Sequence, residues 1–158
     1  MRRKALLTYL VSAVVLLAGC GQSPYFYENT VIDPQGWSGS EPVSYTFDID
    51  GTTEPFNFVM NLRHGDDYPY SNLFLFVQLD FPNGKTSVDT LECVLADPTG
   101  RWNGRKTGQL VDHRIMLNSR RIFPMEGSYH VHIRQAMRND PLPGIHDVGF
   151  SLERWQPE

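Results

Sequence analysis

The chain has 158 residues, with 14 lysine or arginine and 18 aspartate or glutamate residues, so its formal net charge is −4. This acidic balance argues against a nucleic-acid-binding protein and against docking onto an anionic membrane through a basic surface. Hydrophobic residues make up 41% of the chain. Its length and composition suffice for one domain with a sizeable core.

The first 19 residues have the pattern of a secretory signal peptide. Three basic residues precede an apolar run over residues 5–17, which is too short to span a membrane. Residues 17–20, Leu-Ala-Gly-Cys, resemble the bacterial lipobox, in which the chain is cut before the cysteine and the thiol takes a diacylglycerol. We therefore expect residues 1–19 to be removed and Cys20 to carry a lipid anchor. An ordinary secretory signal with a chance cysteine is the alternative.

The mature chain would begin at Cys20 with 139 residues, 11 basic and 18 acidic, and a net charge near −7. If Cys20 is consumed as a thioether, Cys93 is the only thiol left, so no internal disulfide can form. Cys93 alternates with Leu91 and Leu95. We expect it to be a small buried hydrophobic residue rather than a nucleophile.

Residues 20–40 are predicted to be a lipidated tether followed by an irregular segment. They contain prolines, glycines and several aromatic residues without a persistent helical or strand period. We expect the aromatic rings to lie on the domain. The domain itself is predicted to cover residues 41–158.

Alternation of apolar and polar residues after Pro42 predicts a series of short strands. They are expected at Val43–Ile49, Phe56–Leu62, Leu73–Phe81, Val88–Leu95, Ile115–Leu117, Ser128–Arg134 and residues 148–153. Seven or eight short strands between turn signals predict an all-β fold. The expected architecture is an antiparallel β-sandwich of the jelly-roll type.

Leu73–Phe81 is predicted to be the central strand. Leucines and Val77 line one face, while Phe74 and Phe76 occupy the other, so we expect both faces to be covered. The strand ends at residues 81–85, Phe-Pro-Asn-Gly-Lys. Asn-Gly is expected to supply the two positive-φ positions of a tight hairpin turn.

An ordered series of short motifs along the chain resembles a known family. The motifs are Asn61-Leu62-Arg63, Asp67-Tyr68-Pro69-Tyr70-Ser71-Asn72-Leu73, Phe81-Pro82-Asn83-Gly84, Asp89-Thr90-Leu91, Leu95-Ala96-Asp97-Pro98-Thr99-Gly100 with Trp102 and Gly104, Phe123-Pro124 with Gly127 and Tyr129, Gln135-Ala136-Met137-Arg138, and Gly144-Ile145 with Asp147-Val148-Gly149. Following a lipobox, this order is similar to that of the gliding-motility lipoprotein family GldH. The resemblance implies a cell-envelope lipoprotein associated with surface gliding and with the type IX secretion machinery. The family defines no catalytic residues.

Two groups of residues invite a metal-site interpretation. His130 and His132 share one face of a predicted strand, but nothing in the sequence places a third ligand nearby. We prefer a solvated or partner-facing surface. Asp66, Asp67 and Asp97 match no calcium-loop spacing. We interpret Asp97 as a residue that begins a turn by bonding its own backbone, and Asp66 and Asp67 as residues that cap a loop. No metal or cofactor is expected.

No nucleophile elbow, phosphate-binding loop, zinc-protease motif or dinucleotide fingerprint is present, so we do not expect an enzyme. The turn-rich loop at residues 96–104 is the strongest candidate functional segment. Trp102 in this loop either plugs the end of the sandwich or contacts a partner. The candidate partner-binding residues are Trp102, Arg101, Tyr68, Tyr70 and Asp67.

We hypothesise a non-enzymatic interaction subunit that docks onto another envelope protein through loop aromatics and a strand edge. A lipid-anchored glycan-binding module is the alternative, because jelly rolls often bind sugars with exposed aromatic residues. Gly21 replaces the aspartate that retains lipoproteins at the inner membrane, which favours the outer membrane. No acidic pair follows Cys20, which favours the periplasmic face.

Overall fold

The computed structural model describes residues 23–157, a range that contains nine strands and no helix. The strands are β1 (Phe26–Val31), β2 (Val43–Ile49), β3 (Pro55–Gly65), β4 (Asn72–Asp80), β5 (Thr86–Val94), β6 (Arg105–Thr107), β7 (Leu110–Ile122), β8 (Gly127–Gln135) and β9 (Ile145–Arg154). The predicted signal peptide and Cys20 lie outside the described residues.

The strands form two antiparallel sheets, one of five strands in the order β1-β9-β3-β7-β6 and one of four in the order β2-β8-β4-β5. Apart from the short β6, the pairing is nested: β1 pairs with β9, β2 with β8, β3 with β7 and β4 with β5. Such nesting is the jelly-roll arrangement of two sheets. The predicted all-β antiparallel sandwich is therefore confirmed, with nine strands instead of seven or eight.

Aromatic rings fill the space between the sheets. Phe47 on β2 and Phe58 on β3 both contact Phe150 on β9, with ring centroids 5.8 and 5.7 Å apart. Phe123 lies 4.7 Å from Tyr129 in a T-shaped arrangement. Ring pairs of this kind stabilise a core by roughly 0.5–1.5 kcal/mol beyond the burial of their area. Since Cys93 is the only free cysteine in the described range, packing rather than cross-linking holds this part of the chain together.

β1 lies within residues 20–40, where the sequence predicts no strand. Phe26 packs against Phe47 in the core at a centroid distance of 5.6 Å, whereas residues 27–29 are exposed. Because β1 is an edge strand in which only Phe26 and Thr30 are partly buried, it shows no alternation. The irregular stretch that follows does place a ring on the domain, since Trp37 is buried and forms a bridge with Leu142.

β7 and β6 also differ from expectation. β7 has 13 residues, although the sequence predicts only Ile115–Leu117. A register shift opposite Phe58 and a positive φ of 56° at Arg120 interrupt its alternation. β6, with the sequence Arg-Lys-Thr, is fully exposed and contains no apolar residue that would mark a strand.

β4 is an interior strand of the four-stranded sheet, between β8 and β5, as predicted. The expectation that both of its faces are covered is wrong. Phe74 and Phe76 are 38% and 37% exposed on the outer face, because residues 23–157 form no further layer over this sheet. Only single side chains shield them: Arg134 lies over the Phe76 ring at 5.3 Å, and the sulfur of Met137 lies 3.3 Å from the Phe74 nitrogen.

The β4–β5 hairpin forms at the predicted place, but the predicted turn type is wrong. Gly84 has a φ of +77°, and Asn83 is not among the described residues with positive φ. The Gly84 N–H donates to the Phe81 carbonyl at 2.9 Å, and the Phe81 N–H donates to the Lys85 carbonyl at 2.8 Å. One left-handed residue suffices for this longer turn. The Asn83 side chain instead accepts the Lys85 N–H at 3.1 Å.

The connections differ between the two ends of the sandwich. We call one end the loop end, because it carries the four long connections, residues 32–42, 66–71, 95–104 and 136–144. The opposite end, the hairpin end, carries the short turns at residues 50–54, 81–85 and 123–126. β1 starts at the hairpin end, since Phe26 pairs with Leu152 near the end of β9. The N-terminal side of the domain and the long loops are therefore at opposite ends.

Candidate functional site

Trp102 closes the loop end of the sandwich. The Trp102 backbone forms an isolated β-bridge with Ala96. The half-buried Trp102 ring packs edge-on against His64 at a centroid distance of 4.5 Å. The indole N–H donates to Asp66 Oδ1 at 2.9 Å. Lys106 Nζ lies 2.6 Å from the other oxygen of Asp66, and these bonds hold the pKa of the Asp66 carboxyl below its usual value, with the Lys106 bond as the largest cause.

Tyr68 and Tyr70 belong to the same ring cluster. Tyr68 is buried, its ring lies 6.4 Å from that of Trp102 and 5.8 Å from that of Tyr70, and its hydroxyl donates to the Asn72 carbonyl at 3.1 Å. Burial raises the pKa of Tyr68. Gly144 packs flat against Tyr68, since a Cβ there would lie 3.3 Å from its Cα. This ring therefore joins the 66–71 loop to the 136–144 loop.

Arg101 and Asp67 lie beside this cluster and face solvent. The Arg101 side chain is 85% exposed and pairs with Asp97 at 3.2 Å. Asp97 also accepts the backbone N–H groups of Thr99 and Arg101, at 2.9 and 3.1 Å. Its oxygens thus hold their own loop in shape, in agreement with the interpretation of Asp97 as a turn residue. The five candidate partner-binding residues thus all lie at the loop end of the sandwich. Three of them are rings that pack together, and two are exposed charged side chains.

Two buried histidines, His64 and His113, form a pair under Trp102 that the sequence did not predict. His64 is fully buried and His113 is 7% exposed. His64 Nδ1 lies 2.6 Å from the Gly65 carbonyl, so this nitrogen carries the proton, and its Nε2 accepts from Nε2–H of His113. Desolvation lowers the pKa of both rings, that of His113 to about 4. Each histidine continues the inward alternation of its strand, after Leu62 and Val111.

His130 and His132 share the outer face of β8, as predicted. Each Nδ1 lies close to a hydroxyl of β2: His130 to Thr46 at 2.8 Å and His132 to Ser44 at 2.7 Å. His132 Nε2 also lies 3.2 Å from Asp80 on β4. The Ser44–His132–Asp80 chain has the order of a hydrolytic triad, but it lies on an open sheet face with His132 and Asp80 about 30% exposed. These contacts connect three neighbouring strands, β2, β8 and β4.

Further findings concern the thiol, metals and membrane. Cys93 is buried, as predicted, and burial raises the pKa of its thiol to about 11. Between residues 23 and 157 no group of three or more histidine, cysteine, aspartate or glutamate side chains is arranged to hold a metal ion. The same range contains no helix long and apolar enough to cross a membrane.

Comparison with known proteins identifies the family. The family model described as GldH lipoprotein matches residues 25–152. The chain is 33% identical over 152 residues to the gliding motility lipoprotein GldH of Flavobacterium johnsoniae, with 92% of this chain and 94% of that protein covered. It is 32% identical over 151 residues to a GldH homolog of Christiangramia forsetii, with 91% and 92% covered. The resemblance seen in the motifs is confirmed, and the chain belongs to the GldH lipoprotein family.

Proposed function

We propose that this protein is a non-enzymatic interaction subunit of the gliding and type IX secretion machinery, which contacts another envelope protein through its loop end. The observation that carries the proposal is the placement of the long loops at the end remote from the start of β1. A chain anchored at its N-terminus presents that remote end to its surroundings. Loops positioned on a rigid sandwich are where proteins commonly place binding residues.

The proposed anchor is a lipid on Cys20. Five residues lie between Cys20 and Phe26, the first residue of β1, and the six Cα–Cα steps of a fully extended chain span at most about 20 Å. The hairpin end is then held close to the membrane surface. We assign the protein to the periplasmic face of the outer membrane, which Gly21 and the lack of a following acidic pair support.

The contact residues divide into two groups by exposure. Trp102 and Tyr68 fix the shape of the loop end through packing, whereas Arg101, Asp67 and the half-buried Tyr70 offer charge and a ring to a partner. Next to them, the outer face of β4 and the edge strand β5 expose Phe74 and other apolar side chains. Aromatic and arginine side chains are the types enriched in protein interfaces.

A site-specific crosslinking experiment in the native host tests the proposal. A photo-crosslinker at position 67 or 70 is expected to capture an identified envelope protein, and a crosslinker at Lys85 on the hairpin end is not. In a matched charge test, Arg101→Glu is expected to reduce the crosslink at least fivefold, while Lys85→Glu leaves it unchanged. Equal capture from both ends, or no effect of Arg101→Glu, would remove the loop end from the interface.

Localisation is tested separately. Replacing Cys20 with serine is expected to release the protein from the membrane fraction or to block its maturation. Protease added to intact cells is expected to spare the anchored protein, whereas permeabilised cells should lose it. Cleavage in intact cells would place the protein on the cell surface and contradict the periplasmic assignment.

A further inference from the structure

The outer face of the five-stranded sheet contains a polar groove with a volume of about 400 Å³. Gly149 on β9 pairs with Asn29 on β1 and with Asn61 on β3, two residues that line the groove. A Cβ at position 149 would lie 2.9 Å from Asn29 Oδ1. Glycine at this position therefore leaves room for the side chains of Asn29 and Asn61, which pack beside it.

A row of alternating charges crosses the same face. Strand register places Asp147, Arg63, Asp112 and Arg105 on four adjacent strands. Arg63 Nε donates to Asp112 Oδ1 at 2.6 Å, and Arg63 Nη1 lies 3.8 Å from Asp147. These contacts hold the Arg63 guanidinium between the two carboxylates.

One arginine of the groove has no ionic partner among the described residues. Three arginines line it, Arg63, Arg105 and Arg114, against two lining carboxylates. Arg114 pairs with Glu153, while no carboxylate of residues 23–157 lies within ion-pair distance of Arg105. With Glu153 counted, three carboxylates match the three arginines, and Arg105 is the arginine without an ion-pair partner among residues 23–157. A guanidinium without a partner is suited to bind a carboxylate through two parallel hydrogen bonds.

Three of the other lining groups, Tyr27, Asn29 and Asn61, are neutral and planar. Asn29 donates to Asp147 at 3.1 Å and Asn61 to Ser151 at 3.4 Å, whereas their amide oxygens accept no hydrogen bond from the described residues. Tyr27, 56% exposed, lines the groove on β1. The groove therefore offers an exposed ring at one side, free amide oxygens in the middle and a free guanidinium at the other side.

We propose that this groove binds an anionic saccharide of about three sugar rings. The line from β1 to β6 crosses five strands, about 19 Å at the usual strand spacing, which suits an oligosaccharide better than a single sugar. One ring lies against Tyr27, central hydroxyl groups donate to Asn29 and Asn61, and the carboxylate of a terminal sugar pairs with Arg105. The two lining carboxylates disfavour a doubly charged phosphate. This inference stands independently of the proposed docking role.

Calorimetric titration of the full chain in detergent tests the proposal with three probes: trigalacturonic acid, its methyl ester and inorganic phosphate. The acid is expected to bind at least about tenfold more tightly than the ester, because a hydrogen bond to a charged group adds that much. Arg105→Ala should abolish this preference. Arg138→Ala, which removes an exposed arginine outside the groove, should leave it intact. Tyr27→Ala should weaken the acid and the ester alike.

Three outcomes would overturn the proposal. They are no binding of the acid at millimolar concentration, equal binding of acid and ester, and an Arg105→Ala variant that keeps the preference. Phosphate binding as tight as that of the acid would show an anion site without saccharide recognition and would also contradict it. None of these results bears on crosslinking at the loop end, so failure of one proposal is distinguishable from failure of the other.

Discussion

The Nε2 atoms of His64 and His113 lie 3.0 Å apart inside the loop end of the sandwich. His64 is on β3 and His113 on β7, and the Trp102 ring rests against His64. Gly104 completes the cover, since a Cβ there would lie 2.8 Å from His113 Nε2. The loop that carries Trp102 is thus packed directly on two neutral imidazoles.

This pair predicts that acid destabilises the fold. Burial lowers the folded-state pKa of His113 to about 4, below the unfolded value of 6.5, despite the opposing charge of Asp112. The folded state therefore binds fewer protons, and its stability, complete above pH 6.5, is lost as the pH falls toward 4. We expect a loss of about 2 kcal/mol in the free energy of unfolding between pH 7.5 and 5 from His113 alone.

Urea denaturation at several pH values measures this effect. His113→Gln is expected to flatten the pH dependence between 7.5 and 5, whereas His146→Gln, at an exposed position, should leave most of it. A wild-type protein equally stable at both pH values would contradict the buried, neutral state of the pair.

The loss of stability on replacing Trp102 is predicted to depend on how much of the side chain is removed. Trp102→Ala deletes the ring that packs on His64 and Tyr68, and we expect a loss of about 3 kcal/mol. Trp102→Phe keeps a ring and loses the hydrogen bond to Asp66, which should cost about 1 kcal/mol. Chemical denaturation measures both values. If Trp102→Ala unfolded at the wild-type midpoint, the ring would not be closing the sandwich.

Alanine substitutions at two adjacent positions of the β4–β5 hairpin are predicted to lower stability by different amounts. Gly84 has a φ of +77° with open space around it, so Gly84→Ala should cost about 1 kcal/mol through backbone strain alone. Asn83→Ala removes only the acceptor for the Lys85 N–H and should cost less. Thermal melts of both variants provide the comparison. A greater loss for Asn83→Ala would indicate that the left-handed position lies there instead.

The thiol count is predicted to depend on folding. Cys93 is buried and its pKa is raised to about 11, so it stays protonated and unreactive at pH 8 in the native protein. In denaturant, a thiol reagent such as Ellman's is expected to detect one thiol per mature chain, because Cys20 is proposed to be a thioether. Cys93→Ala should then show none. Two thiols in the denatured wild-type protein would be incompatible with lipid attachment at Cys20.

Alternation predicted the strands whose inner face is fully buried. β2, which was predicted to its end residues, has a buried residue at every second position. Alternation did not predict β1 and β6, because edge strands in contact with solvent need few apolar residues. Phe74 and Phe76 led to the opposite error, the expectation of a covered outer face. An apolar side chain on a sheet face does not by itself require a covering layer.

The sequence placed the functional candidates on loops that the structure brings to one end of the sandwich, but it did not distinguish packed residues from exposed ones. Trp102 and Arg101 are neighbours in the chain, yet one packs on His64 and the other faces solvent. The sequence alone did not bring His64 and His113 together. Their position at the end of two inward-facing patterns was a usable signal, although nothing local shows that β3 and β7 are neighbours.

By itself, the sequence determined the all-β class, the inward faces of the principal strands and the family, because these follow from local alternation and from motif order. Only the tertiary structure decided which distant residues meet: the histidine pair 49 positions apart, the contact of Trp102 with Asp66, and the groove across five strands. The physical reason is that strand pairing in a jelly roll joins residues far apart in the chain. Register, burial and hydrogen bonding at such places depend on partners that no local pattern specifies.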